Sequence, residues 1–502
     1  MTRTSTQKAF RIAEEHYRAG RLIEAEKKCR AILLQNPDDP KALKLAGTLA
    51  RRQGRIAEAI GIATHATKAH PHVAEFHAEL GELSRAAGNW AQAVAALERA
   101  VQLKPLEPAF HNSLAGALFE NHQFEKALAE CDRVIELKAD DVNAWNNKGG
   151  ILRELGRFDE AAIAMETALR LQPLLAPSHL NMALIRAGQE RFVEALECTA
   201  RAISIQPDYP EAQYNVGILH LLLGDMERGW QEYRWRPTRI VPTGAPMWQG
   251  EDLRGKTLGL ISEQGFGDTI QFVRYVPMLE ERGARVWLLC RAELARLLEP
   301  IVAVVRSGEA LPDYDFCCPL LDLPMLFGTT VGNIPSPIAY LRGETGGRKS
   351  EKPRIGLVWA GSPRHREDLR RSMRFEQMKP LFAVPNIEWV NLQLGPPAQQ
   401  AEGSTMVGPG MALRDFHDTR AVIETLDLVI TVDTAVAHLA GAMGKVVWVL
   451  LPKVPDWRWL LEREDSPWYP SMRLFRQPSW GDWDSVMKRV VDALSLWMKT
   501  RD

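Results

Sequence analysis

Three short stretches in the second half of the chain hold the residues with the most chemical capacity. The first is SEQGFGDTIQFVRY, residues 262–275, a glycine knot between an apolar strand-like run and an apolar helix-like run. Gly265 and Gly267 keep the backbone low, and Asp268 follows where the helix should begin. A carboxylate there can cap the helix, with Gln271 three residues on completing an approximate capping box, and it can also face an adjoining cleft. The second stretch is WAGSPRHREDLRRSM, residues 359–373. A strand runs into Gly361, Ser362 and Pro363, then into Arg364, His365, Arg366, Arg370 and Arg371. Arginines clustered at the carboxyl end of a strand suit a diphosphate, although any one of them also fits a solvated loop. The third is LDLVITVDTAVAHLAGAMG, residues 426–444. Here a buried strand ends at Asp433 and a helix starts at Thr434, offering free N–H groups and partial positive charge to a phosphate. Thr434 and Ala435 are small enough to let a diphosphate approach. His438 lies one turn on, on the same face as Thr434, where it can be a ligand contact or a buried helical histidine. Asp433 has a helix cap as its simpler role.

Other chemistries find no footing. The GFGD glycines lack the third glycine of a dinucleotide fingerprint, and no HExxH, P-loop, catalytic serine order or zinc spacing is present. The two Asp-x-Asp triplets, DYD at 313–315 and DWD at 482–484, read as a turn and a helix cap, so no metal and no cofactor is expected.

The elements that must position these residues alternate between strand and helix. TLGLIS, RVWLLC, VAVVR and DFCCPL read as strands of one set; RIGLVWAG, WVNLQL, LDLVITV and VVWVLLP as strands of a second. Helical runs lie between them, and SWGDWDSVMKRVVDALSLWMK closes the chain as a helix. Such alternation means parallel sheets covered by helices, with ligands at the carboxyl ends of the strands. The expected boundaries are a proline-rich linker at 236–255, a first lobe at 256–341, a glycine- and charge-rich linker at 342–353, and a second lobe at 354–502. DWRWLLEREDSPWYPS, after the last expected strand, reads as a loop whose aromatics pack against the closing helix.

Residues 1–235 follow a different rule. Pro37, Pro71, Pro105, Pro173 and Pro207 fall on one 34-residue comb, with Ala139 in the missing place. Ala13, Gly47, Gly81, Ala115, Gly149, Ala183 and Gly217 fall on a second; Ala25, Ala59, Ala93, Ala127, Ala161, Ala195 and Gly229 on a third. Small residues sit where paired helices cross closely. Gly20, Gly54, Gly88, Gly156 and Gly224 end the first helix of a unit, and each proline ends the second. The pattern resembles the tetratricopeptide repeat: six full repeats and a degenerate seventh ending in GDMERGWQEYRWR. Such a superhelix holds a peptide in its inner groove, and Asn147, Asn181 and Asn215, at one position of three successive repeats, offer a ladder of amides for an extended backbone.

GFGDTIQF, WAGSPRH with RRS, VDTAVAHLAGAMG, and DWRW with SPWYPS and LFRQ together resemble heptosyltransferase-like glycosyltransferases of the GT-B fold, over about residues 243–502. The resemblance implies an α-helical repeat superhelix followed by two Rossmann-like lobes, the first on the acceptor side and the second on the nucleotide-sugar side. It implies that Asp268 is the general base, taking the acceptor hydroxyl's proton as its oxygen attacks C1 with inversion. Gly265, Gly267, Ser362, Arg364, Arg371, Asp433, Thr434, Ala435 and His438 would contact the donor, with Asp433 holding its sugar or nucleotide. Fusion to tetratricopeptide repeats is similar to bacterial protein glycosyltransferases, including those that modify flagellin, and in plan to O-GlcNAc transferase. The implied partners are a nucleotide-sugar and a protein acceptor modified on Ser or Thr.

Composition bounds the alternatives. Lys and Arg number 62 against 63 Asp and Glu, so nothing draws the whole molecule to nucleic acid or anionic membrane. No run approaches the ~18 apolar residues of a membrane span. The N-terminus has no apolar signal core, and the six cysteines form no CxxC pair, so a reducing cytoplasm is expected. Two other readings stay open: a lipid- or polysaccharide-directed transferase, and a repeat adaptor carrying a retired transferase domain.

Overall fold

The computed structural model describes residues 3–240, 244–336, 339–341, 352–363, 365, 367–408 and 412–500, for residues 3–6 the backbone only. Most of the 342–353 linker lies outside this set. The chain divides into two compact units, Met1–Ile205 and Gln206–Asp502.

The first unit is a run of paired helices from Arg3–Arg18 to Phe192–Ile205. Ala25, Ala59, Ala93, Ala127, Ala161 and Ala195 are all fully buried where the helices cross. Larger side chains there would overpack the crossings, at about 1–3 kcal/mol each. The turn inside each pair needs a left-handed residue, and Gly20, Gly54, Gly88 and Gly156 supply it with φ near +75°. His122 and Glu190 complete that column at φ 56° and 62°, so the fold imposes the turn even where glycine is missing. The turn between pairs carries a second recurring device. The rings of His77, His111, Trp145 and His179 hydrogen-bond the carbonyls of Pro71, Pro105, Ala139 and Pro173, at 3.1, 3.0, 2.9 and 2.9 Å.

The second unit starts with the last repeat, helices Pro210–Leu222 and Met226–Tyr233. Two parallel sheets follow. In the first, β1 (Thr257–Ile261), β2 (Arg285–Cys290), β3 (Ala303–Arg306) and β4 (Phe316–Pro319) take the order β3-β2-β1-β4. In the second, β5 (Arg354–Val358), β6 (Glu388–Asn391), β7 (Leu428–Val432), β8 (Val447–Leu451) and β9 (Met472–Arg476) take the order β6-β5-β7-β8-β9. All pairs are parallel. β9 is not among the expected strands. In the second sheet β5 and β7 lie side by side while the chain leaves them in opposite directions; in the first, β1 holds that place between β2 and β4. These switch points open a crevice at the carboxyl ends of the strands. The SEQGFGD loop follows β1, WAGSPRH follows β5, and Asp433 follows β7.

Two segments and one packing contact differ from the expected ones. The seventh repeat packs with the α/β unit rather than ending a free array. Trp230 and Tyr233, 2% and 1% exposed, set their rings 5.2 and 5.8 Å from Trp457, and the Trp230 indole donates to the Thr329 carbonyl at 2.8 Å. The described residues of the expected 236–255 linker pack against the first sheet's lobe. Arg236, Trp248 and Leu253 are buried, and Met247 pairs with Cys317 alongside β4. Of the aromatics of DWRW and SPWYP, expected against the closing helix, Trp457 and Trp468 pack on Trp230, Tyr233 and Phe272, and Trp459 and Tyr469 on His438.

Truncation tests this. A fragment starting at residue 206 should unfold in one sharp thermal transition with native near-UV circular dichroism. A fragment starting at 236 should lose the near-UV signal and bind ANS, because Trp457 and Trp468 lose the rings that cover them. Equal melting of the two would show the seventh repeat dispensable.

Candidate functional site

The site is built where the two switch points meet. Helix Phe266–Phe272 after β1 packs directly on helix Ala435–Ala442 after β7. That approach requires a glycine at 267: a Cβ there would lie 2.7 Å from the His438 ring and 3.5 Å from the Ala435 Cα. Gly267 is therefore a packing position as well as part of a loop.

Asp268 is not the first residue of its helix. Gly265 is the N-cap, and Asp268, at the third helical position, reaches back so that Oδ2 accepts from the Gly265 N–H at 2.7 Å. This is the carboxylate half of a capping box, so Gln271 has no part in it. The other oxygen, Oδ1, is paired with Arg458. Gln271 is fully buried and its side-chain oxygen accepts from Arg458 Nε at 2.5 Å. Arg458 also pairs with Asp456 at 2.9 Å and stacks on Trp457, 4.2 Å from the ring centre. Burial opposes the charge of Arg458, but Asp456 and Asp268 outweigh it and hold the guanidinium well above its ordinary range.

Asp433, 9% exposed, lies at the end of β7. It does not cap helix Ala435–Ala442, whose N-cap is Thr434 with no side-chain bond to the helix. Thr434 instead shares a hydroxyl hydrogen bond with Thr431 at 3.1 Å. The N–H groups of this helix end thus have no side-chain cap. Burial, reinforced by Asp456, pushes the Asp433 carboxyl above its usual range, against the pull of Arg371, Trp459 and Arg458. His438 is buried, stacked on Trp459 at 5.5 Å, with Nδ1 3.0 Å from the Tyr469 hydroxyl. Burial and the charges of Arg458, Arg274 and Arg371 hold its imidazole well below the ordinary range, so it is neutral.

After β5, the Gly361 N–H donates to Ser372 Oγ at 2.9 Å, and Ser372 donates to Asp368 at 2.8 Å. Arg371 lies against Asp368 at 3.5 Å, and a side chain at 361 would collide with its guanidinium. His365 Nδ1 accepts from the Glu367 N–H at 3.1 Å. Ser362 is in the same turn, whose 362 carbonyl accepts from the His365 N–H. Arg364 and Arg366 lie outside the described residues. An open cavity of about 410 Å³ at the carboxyl ends of the first sheet's strands is lined by Ile240, Ser262, Gln264, Leu289, Arg291 and Leu311, among others.

The structure thus gathers Asp268, Gly265, Gly267, Asp433, Thr434, Ala435, His438 and Arg371 around one crevice. Arg458 and Asp456, absent from the expected site residues, stand at its centre; the acid spacing of DWR was the available signal. The arrangement offers the Arg371 guanidinium and a helix N-terminus without a side-chain cap to an anion, and carboxylates to a hydroxyl or a proton. The asparagine ladder is not three equivalent amides. Asn181 donates to Asn146 at 3.1 Å, Asn215 is buried, and Asn147 is part-exposed. Asp415, His417 and Asp418 cluster closely enough for a cation, but Arg296 contacts all three and Arg414 pairs with Asp418. Asp482 caps the closing helix through the Ser485 N–H, and Asp315 accepts from the Thr257 N–H.

An array of paired helices followed in the chain by two parallel sheets defines a repeat protein with an α/β unit. Tetratricopeptide-repeat models match residues 10–74, 46–108, 84–151 and 142–175. Residues 10–175 are thus tetratricopeptide repeats, and an α/β unit follows them in the chain. Protein FlbA of Caulobacter vibrioides is 30% identical over 332 residues, covering 57% of this chain and 55% of FlbA. The chain spans about half the length of that relative. Among solved structures, the TPR protein YrrB is 22% identical, with TM-score 0.32 over 37% of this chain and 96% of that one. A tetratricopeptide repeat protein from Parabacteroides merdae is 17% identical, with TM-score 0.42 over 46% and 91%. No helix among the described residues is long and apolar enough to cross a membrane.

Two outcomes follow from the packing of the two helices. Gly267→Ala should cost about 1–3 kcal/mol by overpacking His438, read as a lower melting temperature. An unchanged melting temperature would mean that the helices separate easily. His438 is held neutral, so the unfolded chain binds its proton more readily than the folded one. Its contribution is present above the unfolded value of 6.5 and is lost as pH falls below it toward the depressed folded value. Melting temperature should therefore drop below about pH 6.5, with a shallower slope in His438→Gln. An identical slope in the variant would assign the acid sensitivity elsewhere.

Proposed function

We propose that the protein is an inverting, metal-independent glycosyltransferase of GT-B architecture, working in the cytoplasm. It moves a sugar from a nucleotide-sugar to Ser or Thr of a protein recruited by the repeats, flagellin being the acceptor the resemblance points to. The observation that carries this reading is the meeting of three loops at the carboxyl ends of the strands: the one after β1 with Asp268, the one after β5 with Arg371, and the one after β7 with Asp433 and a helix N-terminus without a side-chain cap. A donor diphosphate would lie at the Ala435 N-terminus and Arg371, where positive charge stabilises the leaving group. The acceptor would enter over the first sheet, whose cavity opens beside the SEQGFGD loop. Its hydroxyl would give its proton to Asp268 as the oxygen–C1 bond forms and the C1–phosphate bond breaks. Each Asp268 oxygen accepts one hydrogen bond and retains a second lone pair.

One observation favours a second reading. Both Asp268 oxygens already serve the fold, as cap and as ion pair, so the residue has a complete structural role without catalysis. Under that reading the unit is a retired scaffold and the repeats are an adaptor.

Thermal unfolding of the full chain with UDP, GDP, ADP, CMP and CDP separates the two. A ligand at a hundred times its dissociation constant stabilises by about 2.7 kcal/mol. A shift with one nucleotide, lost in Arg371→Ala and Asp433→Asn and kept in Asp268→Asn, supports the transferase. No shift with any of the five, in folded protein, supports the adaptor.

A further inference from the structure

Leu460 is a buried leucine at φ 51°, ψ −166°. That backbone region is essentially reserved for glycine, and an L-residue held there costs on the order of 1–3 kcal/mol. The residue closes the short turn Trp457–Trp459, which carries Arg458. Such a conformation persists only where the surroundings over-determine it. Arg476, at the end of β9, supplies that constraint. One of its terminal nitrogens donates to the Leu460 carbonyl at 2.9 Å and the Trp459 carbonyl at 3.2 Å; the other donates to the Arg463 carbonyl at 3.1 Å. No carboxylate pairs with Arg476 among the described residues, so carbonyl dipoles alone hold it. Burial and the nearby Arg489 push it down to about 10, which leaves it a cation at neutral pH.

The turn has two consequences for the crevice. It aims Arg458 out of the second lobe onto Asp268 and Gln271. It also lays Trp459 over His438, beside Asp433. We propose that Arg476 is a positioning residue, locking the strained Leu460 turn so that Arg458 and Trp459 are presented to the site across the crevice. Its role in sugar transfer rests on the proposed function; its hold on the turn does not. Arg476 touches neither Asp268 nor any group placed against the donor, so it acts only through the turn.

The test is amide hydrogen exchange of the full chain, comparing wild type with Arg476→Met, Arg476→Lys and Leu460→Gly, and with the Leu460→Gly/Arg476→Met double variant. Arg476→Met cannot donate to the carbonyls. Exchange should rise by about tenfold or more in peptide 456–463 and also in peptide 264–272, which Arg458 holds from the other lobe. Arg476→Lys should recover most of the protection. In the Leu460→Gly background the strain is gone, and Arg476→Met should speed exchange by no more than about threefold. Both chains of that comparison lack the buried leucine side chain, so the effect of removing it cancels. Unchanged exchange at 264–272, or a uniform rise that includes β7 and the closing helix, would overturn the proposal. So would an equal effect of Arg476→Met in both backgrounds. The nucleotide panel run on the same proteins keeps the two ideas apart. A wild-type chain that binds none of the five nucleotides sinks the transferase reading while the exchange pattern still decides the turn. A nucleotide shift that survives intact in an Arg476→Met protein with a loosened turn would deny it a positioning role.

Discussion

The buried guanidinium of Arg458 is the interaction on which the α/β unit depends. Taking an arginine wholly out of water costs several kcal/mol, and the fold recovers this only because every side of the group is met. Asp456 faces it from its own turn, Asp268 and Gln271 from the other lobe, and Trp457 covers one face. The pairing is asymmetric in its consequences. Forming it is close to neutral, but removing one partner leaves an uncompensated buried charge, with a cost of about 3–5 kcal/mol. The lobes are therefore locked at the place where the switch-point loops meet, and the geometry of the crevice follows from that lock.

Two more buried arginines extend the same principle. Arg236, from the segment after the seventh repeat, pairs with both Glu263 and Asp322 in the first lobe, with its side chain fully buried. Glu263 immediately precedes the Gln264–Gly265 turn, so the segment leaving the repeats holds the base of the loop that carries Asp268. Arg274 has no carboxylate partner among the described residues. It donates to the carbonyls of Pro335 at 3.1 Å and Trp468 at 2.8 Å and lies over the Tyr469 ring. Three cations thus tie repeat to lobe and lobe to lobe, where a continuous apolar interface would let the parts slide. Polar contacts of fixed geometry specify one arrangement, which a site assembled from three elements needs.

Some of this was legible in the sequence, and the reason differs from element to element. The repeats were legible because a 34-residue period fixes helix, turn and crossing together. The strands were legible because burial on both faces leaves continuous apolar runs, and their carboxyl ends followed. β9 left little signal because MRLFR is five residues long with two arginines, so it has neither a continuous apolar run nor a strict alternation. The Arg458–Asp268 pair joins residues 190 positions apart, and no local pattern reports such a contact. An acid beside glycines reads as an N-cap, but the N-cap is Gly265, which has no side chain, and Asp268 serves from within the helix. The membership of the seventh repeat did leave a signal. Trp230 and Tyr233 stand where the other repeats have residues such as Val94 and Ala63, and aromatics of that size cannot fit a close helix crossing. They needed a different core, and the α/β unit provides it.

The two loops that face each other also share a physical design. Gln264 and Leu460 are both non-glycine residues at positive φ, one beside Asp268 and the other beside Arg458. Each is pinned from outside its own loop. The Tyr233 hydroxyl donates to the Gln264 side chain at 3.2 Å and Arg291 to its carbonyl at 3.1 Å, while Arg476 grips Leu460. Local strain of this kind relaxes unless packing elsewhere opposes it, so the repeat, β9 and the first lobe each contribute stability that these two turns consume. What the crevice gains is loops that already hold their charged groups in place before any ligand arrives. A loop free to relax would lose that order and would have to recover it on every encounter, at the expense of affinity.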